Sequence, residues 1–360
     1  MTLQSILLWA MAFGALLGGG DHLLGNRFGL GKRFEEAFQL LGPIALFMAG
    51  IICLAPLISS GLSGIIVPCF RPLGLDPGLF GGILPIDMGG YPLAMDLADN
   101  AQIGRFSGIL VAAIFGCTII FTIPVGLGTI KPEDQPWFIK GILLGLAVMP
   151  APLLIGGIAC GLPVSTALIS ILPIATLCLP LFWGLLRCPQ KTAHGFQVLA
   201  KWIQKAAILG LTLGAVQHLT GTSLLKSLTP LSEAMEVVCS IAIAVLGSMP
   251  LAELIQQVLK VPFGWIGKHT GLNAASTTGL LVGVVSVVPA LAMIPRMDNR
   301  GKVVIGAFLV CGASTFAAHL GFAVAEEPEL IPALLLAKLL GGVLGIILAL
   351  IVTGKQKCSS

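Results

Sequence analysis

Long apolar runs dominate the chain, and the polar residues between them come in short clusters. A run of about 20 apolar residues crosses a bilayer as a helix. On that measure eleven segments are expected to span: 4–20, 40–60, 78–98, 107–130, 138–160, 162–186, 206–221, 236–256, 274–295, 303–324 and 331–353. The runs are continuous and do not alternate apolar with polar residues, so they predict helices and not the strands of a barrel. The expected fold is an all-α polytopic membrane helix bundle. Loops such as Arg187 to Lys205 are too short to bury a core of their own.

The second half of the chain repeats the first. Glu35 aligns with Glu233, Pro56-Leu57 with Pro250-Leu251, and Pro68 with Pro262. After a short gap, Gly74-Leu75-Asp76 meets Gly271-Leu272-Asn273, Gly82 meets Gly279 and Pro92 meets Pro289. The expectation is two five-span repeats, 1–160 and 198–360, joined by a linking span and loop over 161–197. Internal repeats of several spans mark secondary transporters, whose substrate sites sit near mid-membrane at the repeat interface. Eleven full crossings would make the repeats parallel, and one re-entrant segment would invert them.

Composition agrees with lipid as the main solvent. Hydrophobic residues make up 56% of the 360 and charged residues 10%, which a water-covered domain does not reach. The net charge of +4 is spread over many loops, and no basic patch of the kind that binds nucleic acid is present. With the N-terminus outside, the clusters Arg27/Lys32/Arg33, Arg296/Arg300/Lys302 and Lys355/Lys357 fall on the cytoplasmic side, as the positive-inside rule asks. The cluster Arg187, Lys191, Lys201 and Lys205 then falls on the wrong side. No basic residue precedes the first apolar run, so a removable signal peptide is not expected. The nine cysteines lack metal-binding spacing, and free thiols are expected, with no metal or cofactor. The chain carries no GxxxxGK[ST], HExxH or GxSxG, so neither ATP hydrolysis nor a familiar hydrolase is expected.

The most informative stretch is Gly81-Gly82-Ile83-Leu84-Pro85-Ile86-Asp87-Met88-Gly89-Gly90-Tyr91-Pro92. It places a carboxylate in the middle of the third apolar segment. A charged Asp there costs roughly 2.5–3.5 kcal/mol, so it needs a partner, a water-filled cavity or a proton. Pro85, Pro92, Gly89 and Gly90 predict an interrupted helix beside the acid. Asp87 is read as the counter-ion of a cationic substrate, helped by the backbone at Gly89 and Gly90 and by the ring of Tyr91. An Asp that only pins two helices together is the competing reading. The matching segment near Val284 has no acid but offers Ser286, so one half supplies charge and the other hydroxyls. Further candidates are Glu36, read first as a charge at the start of a span that the helix dipole favours and alternatively as part of a vestibule for cations, and Thr118, Ser314 and Thr315, although such hydroxyls in helices commonly bond their own helix carbonyls. His319 is read as structural, with a proton relay as the alternative.

At Phe34-Glu35-Glu36-Ala37-Phe38, Leu54-Ala55-Pro56, Asp87-Met88-Gly89-Gly90 and Ile123-Pro124-Val125, the chain resembles the ethanolamine utilisation transporter family EutH. The resemblance implies a multi-pass protein of the bacterial cytoplasmic (inner) membrane, not an enzyme, that brings ethanolamine in for catabolism. Its implied partners are that small molecule and the lipid bilayer, with a homo-oligomer left open. The residues alone point only to a small organic cation; a carrier of another amine or amino acid, a membrane-embedded enzyme and a purely structural membrane protein stay as alternatives.

Overall fold

The computed structural model describes residues 3–84, 86–222, 224–225 and 227–354; the expectations on Pro85, Lys355 and Lys357 fall outside them. Every regular element among these residues is helical. In chain order the elements are α1 (Leu3–Leu23), α2 (Leu30–Leu73), α3 (Leu79–Ile83), α4 (Tyr91–Leu97), α5 (Ala101–Thr129), α6 (Gln135–Val148), α7 (Pro150–Ala159), α8 (Val164–Arg187) and α9 (Pro189–Thr220). They continue with α10 (Leu231–Thr270), α11 (Ala274–Gly283), α12 (Val287–Ala292), α13 (Asn299–Glu326) and α14 (Pro328–Thr353). Among the described residues eight helices are long and apolar enough to cross a membrane, and α6 with α7, bent by 41°, makes a ninth.

The remaining two of the eleven expected segments, 78–98 and 274–295, are not single continuous helices. Each is a pair of short helices folded back on itself. A seven-residue helix such as α4 rises only about 10 Å, against a hydrocarbon core of about 30 Å. Hydropathy counts apolar residues without sensing chain direction, so a hairpin and a span look alike in sequence. In the first hairpin the chain turns between Leu84, whose backbone is extended, and Asp87, whose φ of 51° is left-handed. The expected break at Gly89 and Gly90 therefore lies a few residues earlier, and those two glycines belong to the tight turn Asp87–Gly90 that follows.

The helices of the first hairpin touch through bare backbone. A side chain at Gly81 would run into the Ala94 backbone, and one at Gly90 into the Gly81 carbonyl. Asp76 closes the open end by accepting from the amides of Gly78 (2.8 Å), Asp99 (3.3 Å) and Asn100 (2.8 Å). Arg71 donates to Asp99 at 2.7 and 3.0 Å, and this pairing holds the Asp99 carboxyl below its usual range. The second hairpin closes the same way. The Asn273 amide donates to Asp298 (3.1 Å) and its side chain to the Arg296 carbonyl (2.9 Å).

With α6–α7 counted as one crossing, five crossings separate the hairpins, so their bases lie on opposite faces of the membrane. The same count places Arg27, Lys32, Arg33, Lys131, Arg187, Lys191, Arg296 and Arg300 on one face. Asp76, Asp99, Glu327 and Glu329 lie on the other. The positive-inside rule assigns the basic face to the cytoplasm. The conflict at Arg187 and Lys191 came from reading 78–98 as a crossing, and the returning hairpin removes it. At the centre stand α5 and α13, the two most enclosed spans.

Candidate functional site

Both hairpin tips reach one cavity of about 720 Å³. The first tip brings Asp87, Met88 and Gly89, and the second brings Val285 and Ser286. Ala317 to His319 come from the stretch 315–319, where the helix is kinked at Ala317 (φ −112°, ψ −109°), and segments with π-helical geometry supply Phe47 and Met48 from 45–49 and Phe121 from 118–122. Such wide turns recur at functional sites because they loosen the regular ladder.

α13 is broken where it meets the second hairpin. Ser314 has a left-handed φ of 51°, and the helix gives up its own bonding there. The Ser314 amide donates to the Gly283 carbonyl (3.0 Å) and that of Phe316 to Val284 (3.2 Å), so the hairpin tip satisfies backbone groups that the break frees. Beyond the break, His319 sets Nε2 3.3 Å from Asp87 Oδ1 and Nδ1 3.3 Å from the Ala313 carbonyl oxygen. The ring is 2% exposed, the Asp87 side chain 22%: the carboxylate faces the cavity and the imidazole backs it.

Of the residues expected to form the site, Asp87, Gly89, Glu36, Ser286 and Ser314 line this cavity together. Glu36 stands at its far end in an ion pair with Arg33 (2.7 Å), which also pairs with Glu253 (2.9 Å). Four others lie elsewhere. Gly90 is buried inside the hairpin. Tyr91 donates from its hydroxyl to Glu327 (2.7 Å) and stacks edge-on against Phe322, so its ring is not beside the carboxylate. Thr118 donates to the carbonyls of Ile114 and Val310, and Thr315 to that of Gly312. These hydroxyls are spent on helix backbone and packing.

Two further buried groups belong to this region. Cys117 is buried and joins Asp87 and His319 in a trio whose oxygen, sulfur and nitrogen atoms lie within 4.8 Å of one another. Three donors are one short of a closed tetrahedral set, and both imidazole nitrogens already face oxygens; no metal is assigned. Lys338 is fully buried in α14, its Nζ donating to the Ala113 carbonyl at 3.0 Å, with Asp87 and Cys117 among its electrostatic neighbours. A lysine inside Leu335-Leu336-Ala337-Lys338-Leu339-Leu340 was as visible as Asp87, and a charge at that depth points to function by default.

The fold and site define a multi-pass α-helical membrane protein with a charged central cavity enclosed by two returning hairpins. The chain belongs to the EutH family, described as ethanolamine utilisation protein, which it matches over residues 3–352. It is 35% identical over 339 residues to the probable ethanolamine permease EutH of Listeria monocytogenes, covering 94% of this chain and 91% of that one. It is 31% identical to the protein of the same name in Escherichia coli, across 100% and 98% of the two chains. An uncharacterized protein, YxeR of Bacillus subtilis, is 37% identical over 94% of this chain and 92% of its own length. No solved structure matches. Family and apolar helices together make this a protein of the bacterial cytoplasmic membrane.

Proposed function

We propose that the chain is a permease that takes up protonated ethanolamine. The observation that carries this is the Asp87 carboxylate, held at a hairpin tip inside the membrane and facing a cavity that extends to the charged residues of α2. The ammonium binds Asp87, and Ser286 and Ser314 offer hydroxyls to the alcohol end. The names of the Listeria and Escherichia relatives support the substrate. Arg33, Glu36 and Gln39 lie at the cytoplasmic end of α2, so this conformation faces inward. On the outer side Glu327 holds both Tyr91 and Arg105, the latter at 2.9 Å. We further propose that 1–160 and 198–360 are inverted halves about this site, linked by 161–197.

Uptake of labelled ethanolamine into proteoliposomes tests the reading. Removing a buried charge partner costs about 2 kcal/mol or more, so Asp87→Asn is expected to lower transport at limiting substrate roughly thirtyfold. Saturable uptake unchanged by that substitution removes the Asp87 role. The cavity also has room for a larger amine, and competition by a panel of amines and amino acids distinguishes that second reading.

A further inference from the structure

Both ring nitrogens of His319 face acceptors. Nδ1 meets the Ala313 carbonyl, which has no proton to give, and Nε2 meets a carboxylate oxygen. A neutral imidazole carries one N–H, so only one contact could be a hydrogen bond, and the other would set a lone pair against an oxygen. With Nδ1–H donated to Ala313, a hydrogen bond between Nε2 and Asp87 Oδ1 requires a second proton. Apart from His319 itself, no basic side chain among the described residues stands within ion-pair distance of Asp87 to take that place.

We infer that the empty site holds a proton between Asp87 and His319 and that the substrate ammonium displaces it, so that ethanolamine and a proton are exchanged at one position. An ammonium has three N–H donors and can bond Asp87 while giving another to the freed Nε2. The ammonium brings one positive charge and the shared proton leaves to solvent, so the net charge of the site is unchanged. Lys338 is the reason both cannot stay. Its side chain is buried with Nζ on the Ala113 carbonyl, one turn of α5 before Gly116, beside which Asp87 packs; with that ammonium charged, keeping both the proton and the substrate would raise the net charge of the site from +1 to +2 in apolar surroundings.

The other groups around His319 leave this balance alone. Cys117 of α5 lies beside the pair, and the cavity wall that they share adds Met249 of α10, Val285 and Ser286 of the second hairpin and Ser314 of α13. None of these brings a charge at neutral pH, and the charged groups of the same wall, Arg33 and Glu36, are paired with each other.

This inference rests on the reading that Asp87 binds the ammonium. Its test is ethanolamine binding to the purified full-length protein by titration calorimetry between pH 5 and 8, in buffers of different ionisation enthalpy. Competition with one proton weakens affinity about tenfold per pH unit toward the acid end, with about one proton released per substrate bound. His319→Gln keeps a donor toward Asp87 but cannot be protonated, and is expected to bind with little pH dependence and no proton release. Lys338→Met, read in the same way, is expected to release less than the wild type, since the second cation is then tolerated. Wild-type affinity that does not change with pH overturns the exchange, and so does a His319→Gln protein that titrates like the wild type, which would assign the proton to Asp87 alone. Absence of ethanolamine binding at every pH instead removes the substrate reading on which the inference stands.

Discussion

Lys302 donates to Asp134 at 2.6 Å where both side chains are about nine-tenths buried, and Asn299 accepts a second bond from the same ammonium. Breaking such a pair by removing one partner strands a charge and costs about 3–5 kcal/mol, whereas removing both costs less. Lys302→Ala is expected to lower the unfolding midpoint in detergent by more than Asp134→Ala/Lys302→Ala does; equal losses would show that the pair's charges are solvated. The sequence made Asp87 legible, because a lone acid in an apolar run has few innocent explanations. It did not make its neighbours legible. Tyr91 is only four residues away, yet the turn after Asp87 carries its ring to the outer side, where Glu327 takes its hydroxyl. His319 is 232 positions away and touches the carboxylate. No spacing rule relates residues that distant.

At the scale of elements, the hairpins depend on how their open ends are clasped. Asp76→Ala frees the amides of Gly78, Asp99 and Asn100 at once. Part of each bond is replaced by water at the exposed base, so the expected loss is about 1–2 kcal/mol of stability. Limited proteolysis between 98 and 101 should accelerate; an unchanged cleavage rate would mean that packing against α5 alone holds the base. The crossing of α2 over α9 is set by bare backbone, since a side chain at Gly50 would meet the Ala207 carbonyl and one at Gly210 the Gly50 carbonyl. Gly50→Val is expected to destabilise by several kcal/mol, because the main chain of α9 must move. An intact melting curve would refute that close approach. Asp76 and Asn273, which the sequence aligns with each other, each stand at the base of a hairpin.

At the scale of the molecule, orientation follows from counting crossings. Of two proteins carrying a single cysteine, one retaining Cys188 and one with Glu329→Cys in a cysteine-free background, an impermeant maleimide should label the second on intact spheroplasts. The first should react only on inverted vesicles. The reverse pattern would overturn the assignment of faces.

By itself the sequence determined that the chain is a helical membrane protein, where its apolar segments lie, and that one acid is buried among them, because hydropathy and charge cost act residue by residue. Only the tertiary structure decided that two segments return rather than cross, since a hairpin and a span differ in direction and not in composition. It also decided which groups surround Asp87. The histidine reaches it from α13, 232 positions further along the chain, and only the packing of that helix against α5 and the first hairpin brings the two together.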